Sequence, residues 1–424
     1  MIDDLAADAR EIFRHGVAAA DPHDAVLSAL RVHNDMLHEV TRVHIIAAGK
    51  GACPMTEAAL SRVPAGKLGN VVVVTNYENV REIAGAVVHG ASHPLPDAAG
   101  AEAARAVETV AGKARASELV LCLISGGASA LLPAPVDGIT LEEKMRANDL
   151  LLKSGADIVA MNTVRKALSR LKGGGLARLI APAQGVALIL SDVPGDDLSI
   201  IASGPTVSDT APPVRALEIV RSLGLENDMP ESVMRHLEAR AAAKPDSEAH
   251  TTENLLVGSN RISLEAMMTF AARKGYRTDV LAEWLAGDVQ AAAEAFREAA
   301  RAAEPDKPVA ILSGGETSVH VTGTGKGGRN QELALRLAAL CESSPLPREW
   351  VFLSGGTDGR DGPTDAAGGI VTPKTIQRIS ASGESVDAYL ANNDAYHALN
   401  VADALLMTGA TGTNVADLQV LLLG

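Results

Sequence analysis

The chain has 424 residues, 47% of them hydrophobic and only 2% aromatic, a length that divides into about two or three domains with cores built mainly from Ala, Val, Leu and Ile. A formal charge of −14 and a pI near 5.3 exclude nucleic acid, because phosphate-backbone binding needs a basic face. They still allow an anionic small molecule where a few cations and helix N-termini line one pocket.

The N-terminal stretch MIDDLAADAREIF is acidic and amphipathic, where a signal peptide is basic and then apolar. No apolar run approaches the roughly 18 residues of a membrane span. Cys53, Cys122 and Cys341 are odd in number and widely separated, which fits reduced thiols and a cytoplasmic location rather than a disulfide framework or a zinc site. Short Val/Ile/Leu runs, Gly-rich turns and amphipathic helices then alternate. VHIIAAG, NVVVVTN, AVVHGA, ELVLCLISGG and GVALILSDV predict strands of a mainly parallel sheet, with helices at DAAGAEAARAVETVAGKA and as a long pair across 141–171. EARAAAKPDSEAHTTEN, residues 238–254, reads as a linker. The pattern restarts with NLLVGSN, a helix over 263–274, YRTDVLAEW, a helix over 289–303, PVAILSGG, TSVHVTG and EWVFLSGG, and it ends in a final apolar run. The expectation is α/β throughout: a Rossmann-like N-terminal domain over 1–243 and a mixed-sheet domain over 244–424, with the last strand or helix able to return to the first.

Several segments along this frame have the residues for chemistry. Lys50 in IIAAGKGACPM stands in a glycine turn between strand and helix, as a phosphate or carboxylate partner or as a plain surface lysine. His93 in SHPLPD sits in a proline-fixed loop and reads as structural rather than as a base. SGG recurs at 125–127, 313–315 and 354–356 after strand-like runs. Ligands gather at the carboxyl ends of such strands, although Ser-Gly-Gly is also simply a tight exit. SGGASALL, with Ser125 and Ser129, lacks the G-x-S-x-G elbow of a serine nucleophile. Lys166 and Lys172, beside a triple-glycine turn, are candidates for a cationic pocket or for solubility alone. In ILSDVPGDDLSIIASGPT, Asp192 leaves a buried strand and Asp196, Ser203, Gly204 and Thr206 follow. A carboxylate there suits Mg²⁺ binding or acceptance of a hydroxyl proton, or a turn cap.

GTGKGG, residues 323–328, matches the G-x-G-x-x-G dinucleotide pattern. TSVHVTG follows AILSGGE so closely that a hairpin is expected, and the next strand ends in Ser354 where a ribose-binding acid belongs, so a nicotinamide site is disfavoured. Lys326 is followed by Gly327 rather than a hydroxyl residue, so it is not a Walker A loop. The loop runs into a helix with an apolar face at Leu333, Leu337, Leu340 and Cys341. Arg329 therefore sits at the helix N-terminus, where it addresses phosphate or lies on a solvated first turn. Asp358, Asp361 and Asp365 in GTDGRDGPTDAAG do not form an EF-hand. Their spacing favours Mg²⁺–nucleotide handling, without all three being ligands.

Taken in order, GKGACPM, SHPLPD, SGGASALL, SDVPGDDLSIIASGPT, SGGETSV, GKGGRNQE, GTDGRDGPTDAAG and TGATGTNVADL resemble the glycerate 2-kinase family, whose members are often named hydroxypyruvate reductase and whose C-terminal module is called MOFRL. Ala128 and Ala410 replace the family's usual glycine and proline without removing a functional group. The resemblance implies ATP-dependent, Mg²⁺-assisted phosphorylation of D-glycerate at the 2-hydroxyl, two α/β domains with the site in the interdomain cleft, and a basic catalytic pair at Lys50 and Arg329. Asp192 joins that pair as metal ligand or proton acceptor. The candidate substrate- and nucleotide-binding set is Ser125, Gly126, Gly127, Ser129, Lys166, Lys172, Asp196, Ser203, Gly204, Thr206, Ser313, Gly314, Gly315, Glu316, Gly325, Gly327, Gly328, Asn330, Glu332 and Thr357. The candidate metal ligands are Asp192, Asp358 and Asp361. Glycerate and ATP are the expected partners, no membrane or nucleic acid is expected, and a homodimer is left open. The alternatives are an NAD(P)H-dependent hydroxypyruvate reductase using GTGKGG for pyrophosphate, and a small-molecule sensor without turnover.

Overall fold

The computed structural model describes residues 2–243, 252–304 and 307–424. The apolar runs of the first half form β1 (Val43–Ala48), β2 (Leu68–Asn76), β3 (Val87–Ala91), β4 (Leu119–Ile124) and β5 (Gln184–Leu190). These strands pair in parallel in the order β3-β2-β1-β4-β5, and β6 (Thr252–Gly258) joins at the β5 edge. β1 and β4 are buried at every position, as parallel strands covered on both faces must be. Alternate side chains separate cleanly. Ile45, Ala47, Leu121 and Leu123 pack with Val26, Leu30, Met55 and Ala59 of helices Pro22–Val32 and Ala52–Leu60. Ile46, Ala48, Cys122 and Ile124 pack with Ala103, Ala104 and Val107 of helix Ala98–Lys113. A separate apolar cluster joins helices Leu141–Lys153, Ile158–Ala167, Arg215–Ser222 and Glu231–Ala242.

The second sheet contains β7 (Arg277–Asp288), β8 (Val309–Ser318), β9 (Trp350–Gly356), β10 (Gly368–Val371), β11 (Leu405–Leu406) and β12 (Asp417–Leu423), in the order β11-β10-β9-β12-β8-β7. The β7–β8 pair is parallel, and the other pairs are antiparallel, so the sheet is mixed as expected. The final apolar run does not return to the first sheet. As β12, buried at every position, it lies between β8 and β9.

The element that travels is instead the N-terminal helix Ile2–Ala19. Its stripe of Leu5, Ala9, Ile12 and Phe13 packs on Leu418, Val420 and Leu422 of β12 and on Leu264 and Met267. The compact units are accordingly Pro22–Val257 and Met1–Asp21 with Gly258–Gly424, because β6 belongs to the first sheet. Residues 244–251 of the expected linker lie outside the described residues. The hairpin expected around residue 316 is absent. β8 runs unbroken to Ser318 because the long β7 pairs with it as far as Asp288↔Ser318. Among the described residues no helix is long and apolar enough to cross a membrane.

One buried amine makes stability depend on pH. Lys144 is 3% exposed and donates from Nζ to Leu168 O at 2.9 Å. Burial pushes its ammonium down to about 7, with Arg170 and Arg165 acting in the same direction. An unfolded lysine titrates near 10.4, as a rough reference. Between these values the unfolded chain binds the extra proton, so this group's contribution grows as pH rises from 7 to 10 and is lost as pH falls through 7. Lys144→Met is expected to remove up to about 1.4 kcal/mol per pH unit of that slope. Urea unfolding of both proteins between pH 7 and 10 reads it, and identical slopes would mean that the amine stays charged in the fold.

Candidate active site

In an open α/β sheet the ligand crevice lies outside the carboxyl ends of the strands where strand order reverses. In the Pro22–Val257 unit the reversal falls between β1 and β4, whose exits are the turns containing Lys50 and Ser125. Backbone bonds lace these turns together. Ser125 N–H donates to Ala48 O at 3.0 Å and Lys50 N–H to Gly126 O at 2.9 Å, while Gly51 N–H donates to Ser125 Oγ at 3.0 Å.

Gly127 has φ +88°, and a Cβ on it would lie 3.2 Å from His93 Cδ2 and 3.4 Å from Lys50 Cγ. A Cβ on Gly126 would lie 2.3 Å from an Asp192 carboxylate oxygen. The two glycines are thus a side-chain-free floor on which Lys50, His93 and Asp192 converge. Lys50 is exposed, and His93 and Asp192 are partly buried. Burial lowers the His93 imidazole pKa, the Lys50 charge lowers it further, and Glu78 partly opposes them. Asn79 donates to Lys50 O at 3.1 Å and to Asn76 Oδ1 at 2.8 Å, bracing the turn. His93, read from the sequence as structural, stands in this crevice, and SHPLPD was the segment that held the signal.

The other candidates of this unit form a supporting layer. Lys172, 6% exposed, donates to Ser129 O at 2.8 Å and to Ser129 Oγ, and Ser129 Oγ lies 3.1 Å from Ser203 Oγ. Burial, followed by Lys144 and Arg165, holds the Lys172 ammonium well below its usual range. Lys166 faces Asp209 at 3.7 Å, so these two lysines do not form an open cationic pocket. Ser203 and Gly204 lie in a left-handed turn, at φ +62° and +61°. Their carbonyls accept from Gly173 N–H at 3.0 Å and Gly174 N–H at 2.8 Å. Thr206 Oγ1 donates to Asn254 Oδ1 at 2.6 Å, and Asp196 occupies the turn after β5 at φ +54°.

In the unit formed by Met1–Asp21 and Gly258–Gly424, Arg329 heads the helix Arg329–Ser343 as predicted, but a protein carboxylate already occupies that helix terminus. Asp361 accepts from Asn330 N–H at 3.1 Å and Gln331 N–H at 2.8 Å, one on each oxygen. Asn330 Nδ2 adds a contact at 3.3 Å. Burial raises the Asp361 carboxyl to about 6 despite the Gln331 and Asn330 amide donors. Asp361 is therefore a buried helix cap, with each oxygen already on an amide of this terminus.

The Arg329 guanidinium grips Asp417, Nε to Oδ2 at 2.5 Å and Nη2 to Oδ1 at 3.0 Å, and pairs with Glu316 at 2.7 Å. Burial opposes its charge, but Asp417 and then Glu316 outweigh this and raise its pKa. Arg329 is thus fixed in orientation with its side chain 34% exposed.

The first four amides of GTGKGG are engaged within the protein. Five successive amides are taken by the segment 392–394. Thr322 and Gly323 N–H donate to Asn393 Oδ1 at 2.8 and 3.0 Å, Thr324 N–H to Asn392 Oδ1 at 3.0 Å, Gly325 N–H to Asn392 O at 2.9 Å, and Lys326 N–H to Asp394 Oδ1 at 2.9 Å. A Cβ on Gly325 would lie 2.4 Å from Asp394 Cβ, so glycine permits this close approach. Gly327 lies against Ala395, and Gly328 against Asp361.

The 313–315 copy of SGG is inside β8 rather than at a strand end. Ser313 Oγ donates to Ala282 O at 2.9 Å, Gly314 lies against the Asn260 amide, and Gly315 lies against the Leu285 backbone. Asn330 Oδ1 accepts from Ser354 Oγ at 2.6 Å. Glu332, 3% exposed, accepts from Arg336 at 2.7 Å and Asn393 at 3.1 Å. Thr357 Oγ1 donates to Ala416 O at 2.6 Å, and Asp358 caps its own turn by accepting Arg360 N–H at 3.0 Å. Sequence reading missed Asn393 and Asp417. The clue for Asp417 was an acid opening a mostly apolar strand, which must find a partner when buried.

Asn393→Ala would remove the acceptor of the Thr322 and Gly323 amides and a donor to the buried Glu332 and is expected to cost about 1–3 kcal/mol, with faster hydrogen exchange confined to 322–326. Urea unfolding with exchange mass spectrometry checks both, and unchanged exchange in the loop would refute the anchoring role.

Residues 8–238 match the family model described as Domain of unknown function (DUF4147), and residues 309–417 match the MOFRL family. The chain is 38% identical over 439 residues to glycerate 2-kinase of Pyrococcus horikoshii, with 98% of each covered. It is 40% identical over 417 residues to D-glycerate 2-kinase of Thermotoga maritima, covering 97% of this chain and 96% of that one. The crystal structure of glycerate kinase from Thermotoga maritima matches at a TM-score of 0.91 and 39% identity, with 100% of both chains covered. With the same two-sheet α/β architecture and similarity along nearly its whole length, the chain belongs to the glycerate 2-kinase (MOFRL) family.

Proposed function

We propose that the protein transfers the γ-phosphoryl group of ATP to the 2-hydroxyl of D-glycerate, giving 2-phosphoglycerate and ADP. The observation that carries this reading is Lys50 on the Gly126–Gly127 floor at the strand-order reversal. No hydrogen bond or ion pair engages its ammonium among the described residues, so the charge is available to an anionic ligand. Kinship with glycerate 2-kinases over nearly the full chain supplies the substrate class.

Phosphoryl transfer depends on positioning and on neutralising charge more than on covalent chemistry. Lys50 is assigned to stabilise the moving phosphoryl group, with glycine turns that let backbone N–H groups approach phosphate oxygens. Arg329 uses three of its five N–H groups on Asp417 and Glu316, and those remaining are assigned to phosphate. A Mg²⁺ ion brought in with ATP takes most of its ligands from phosphates and water and needs one or two carboxylates; it would neutralise charge on the phosphates. Asp192, against the glycine floor, and Asp358, with one oxygen on its own turn, are donors of that kind. Asp361 is not, since amides hold both its oxygens. The reductase reading is weakened, because the first four GTGKGG amides, of Gly323 to Lys326, are occupied by residues 392–394.

Glycerate-dependent ADP release in the presence of ATP and Mg²⁺ is expected, with no NADH oxidation on hydroxypyruvate; the opposite pair of results would overturn the assignment. Lys50→Ala should lower kcat by about 10²-fold or more with the fold intact. Near-normal turnover would remove Lys50 from the catalytic set.

A further inference from the structure

We propose that His93 is the catalytic base that takes the proton from the glycerate hydroxyl as that oxygen attacks ATP, an assignment that rests on the kinase reading above. Its imidazole lies over the glycine floor, with Cδ2 3.2 Å and Nε2 3.3 Å from where a Gly127 Cβ would be, and Lys50 Cγ lies 3.4 Å from the same point. Neither ring nitrogen has a hydrogen-bond or ion-pair partner among the described residues. His44 shows the contrast: it accepts Asn70 N–H on Nδ1 at 3.1 Å and meets Glu118 through Nε2 at 3.2 Å, as a structural histidine does. An imidazole at a ligand crevice with both nitrogens unused has a lone pair to offer the substrate when neutral.

The charged groups around His93 favour that neutral form. Burial, and then Lys50 on the turn after β1, disfavour the imidazolium, and Glu78, on the turn after β2, opposes them. Asp97, which caps the next helix, accepts from Tyr77 OH at 2.5 Å and Gly100 N–H at 2.9 Å. Asp192 lies on the Gly126 side of the floor. Lys50 is suited to hold the phosphoryl charge and His93 to accept a proton. In the step, the hydroxyl proton moves to the unprotonated ring nitrogen and the hydroxyl oxygen bonds to the γ-phosphorus. The bond from that phosphorus to the bridging oxygen breaks, with its electron pair leaving on ADP. The imidazolium then returns its proton to water.

The test begins with glycerate-dependent ADP formation by the unaltered protein; its absence refutes the kinase reading and with it this step. Given turnover, kcat/KM for glycerate should fall on the acid side with an apparent pKa in the imidazole range, below about 6.5 and clear of the carboxylate range near 4. His93→Gln should lower kcat by about 10²-fold or more and abolish that limb, leaving the KM for ATP within about twofold. Imidazole added to His93→Ala should restore part of the rate, and imidazole added to Lys50→Ala should not. A His93→Gln enzyme within about threefold of normal, or one that keeps the same acid limb, would overturn the proposal. Should the variants fail to fold, the unaltered protein's profile decides: a limb in the imidazole range supports His93, and one near pH 4, in the carboxylate range, refutes it.

Discussion

Two glycine turns drawn together by backbone hydrogen bonds organise the Pro22–Val257 crevice. Lys50 N–H reaches Gly126 O, Ser125 N–H reaches Ala48 O, and the Ser125 hydroxyl accepts Gly51 N–H. These bonds form because β1 and β4 are adjacent while their connections run in opposite directions across the sheet, leaving the space beyond their carboxyl ends uncovered. With no side chain at 126 or 127, Asp192, His93 and Lys50 approach the backbone closely. A methyl group at Gly126 would collide with Asp192, so the floor and the groups above it depend on one another.

The other unit fixes its cation differently. Asp361 and Asp417 are both nearly inaccessible, and a buried carboxylate is costly unless matched. Asp361 is matched by the amides that open the helix Arg329–Ser343, and Asp417 by the guanidinium of the first residue of that helix. One acid sets the helix terminus and the other sets the direction of Arg329. The helix macrodipole is already satisfied internally, so the phosphate contact proposed for Arg329 rests on its guanidinium and not on the helix terminus.

The sequence made the strands of the parallel sheet legible because continuous Val/Ile/Leu runs have few other stable uses, and Lys50 and the first SGG stood out because they follow such runs directly. Partners were harder to read. The amphipathic stripe of Ile2–Ala19 specifies a buried face but not which sheet it covers, and the same is true of the final apolar strand. The hairpin expectation failed because local pattern cannot reveal that β7 is long enough to hold residues 313–318 extended. GTGKGG was misleading for a related reason. Its glycines signal that something approaches the backbone closely, and at Gly323 and Gly325 that something is the segment 392–394. His93, one residue in a short loop, became prominent only once Gly127 and Lys50 were placed beside it.

The proposed reaction transfers a phosphoryl group to one particular hydroxyl of glycerate. Phosphorus-31 and carbon-13 NMR of the product formed from D-glycerate, ATP and Mg²⁺ tests it most directly. Transfer to the 2-hydroxyl gives phosphorus coupled to the C2 carbon and its proton, with ADP formed in equal amount. Phosphorus on C3, or ADP released without any phosphorylated glycerate, would contradict it.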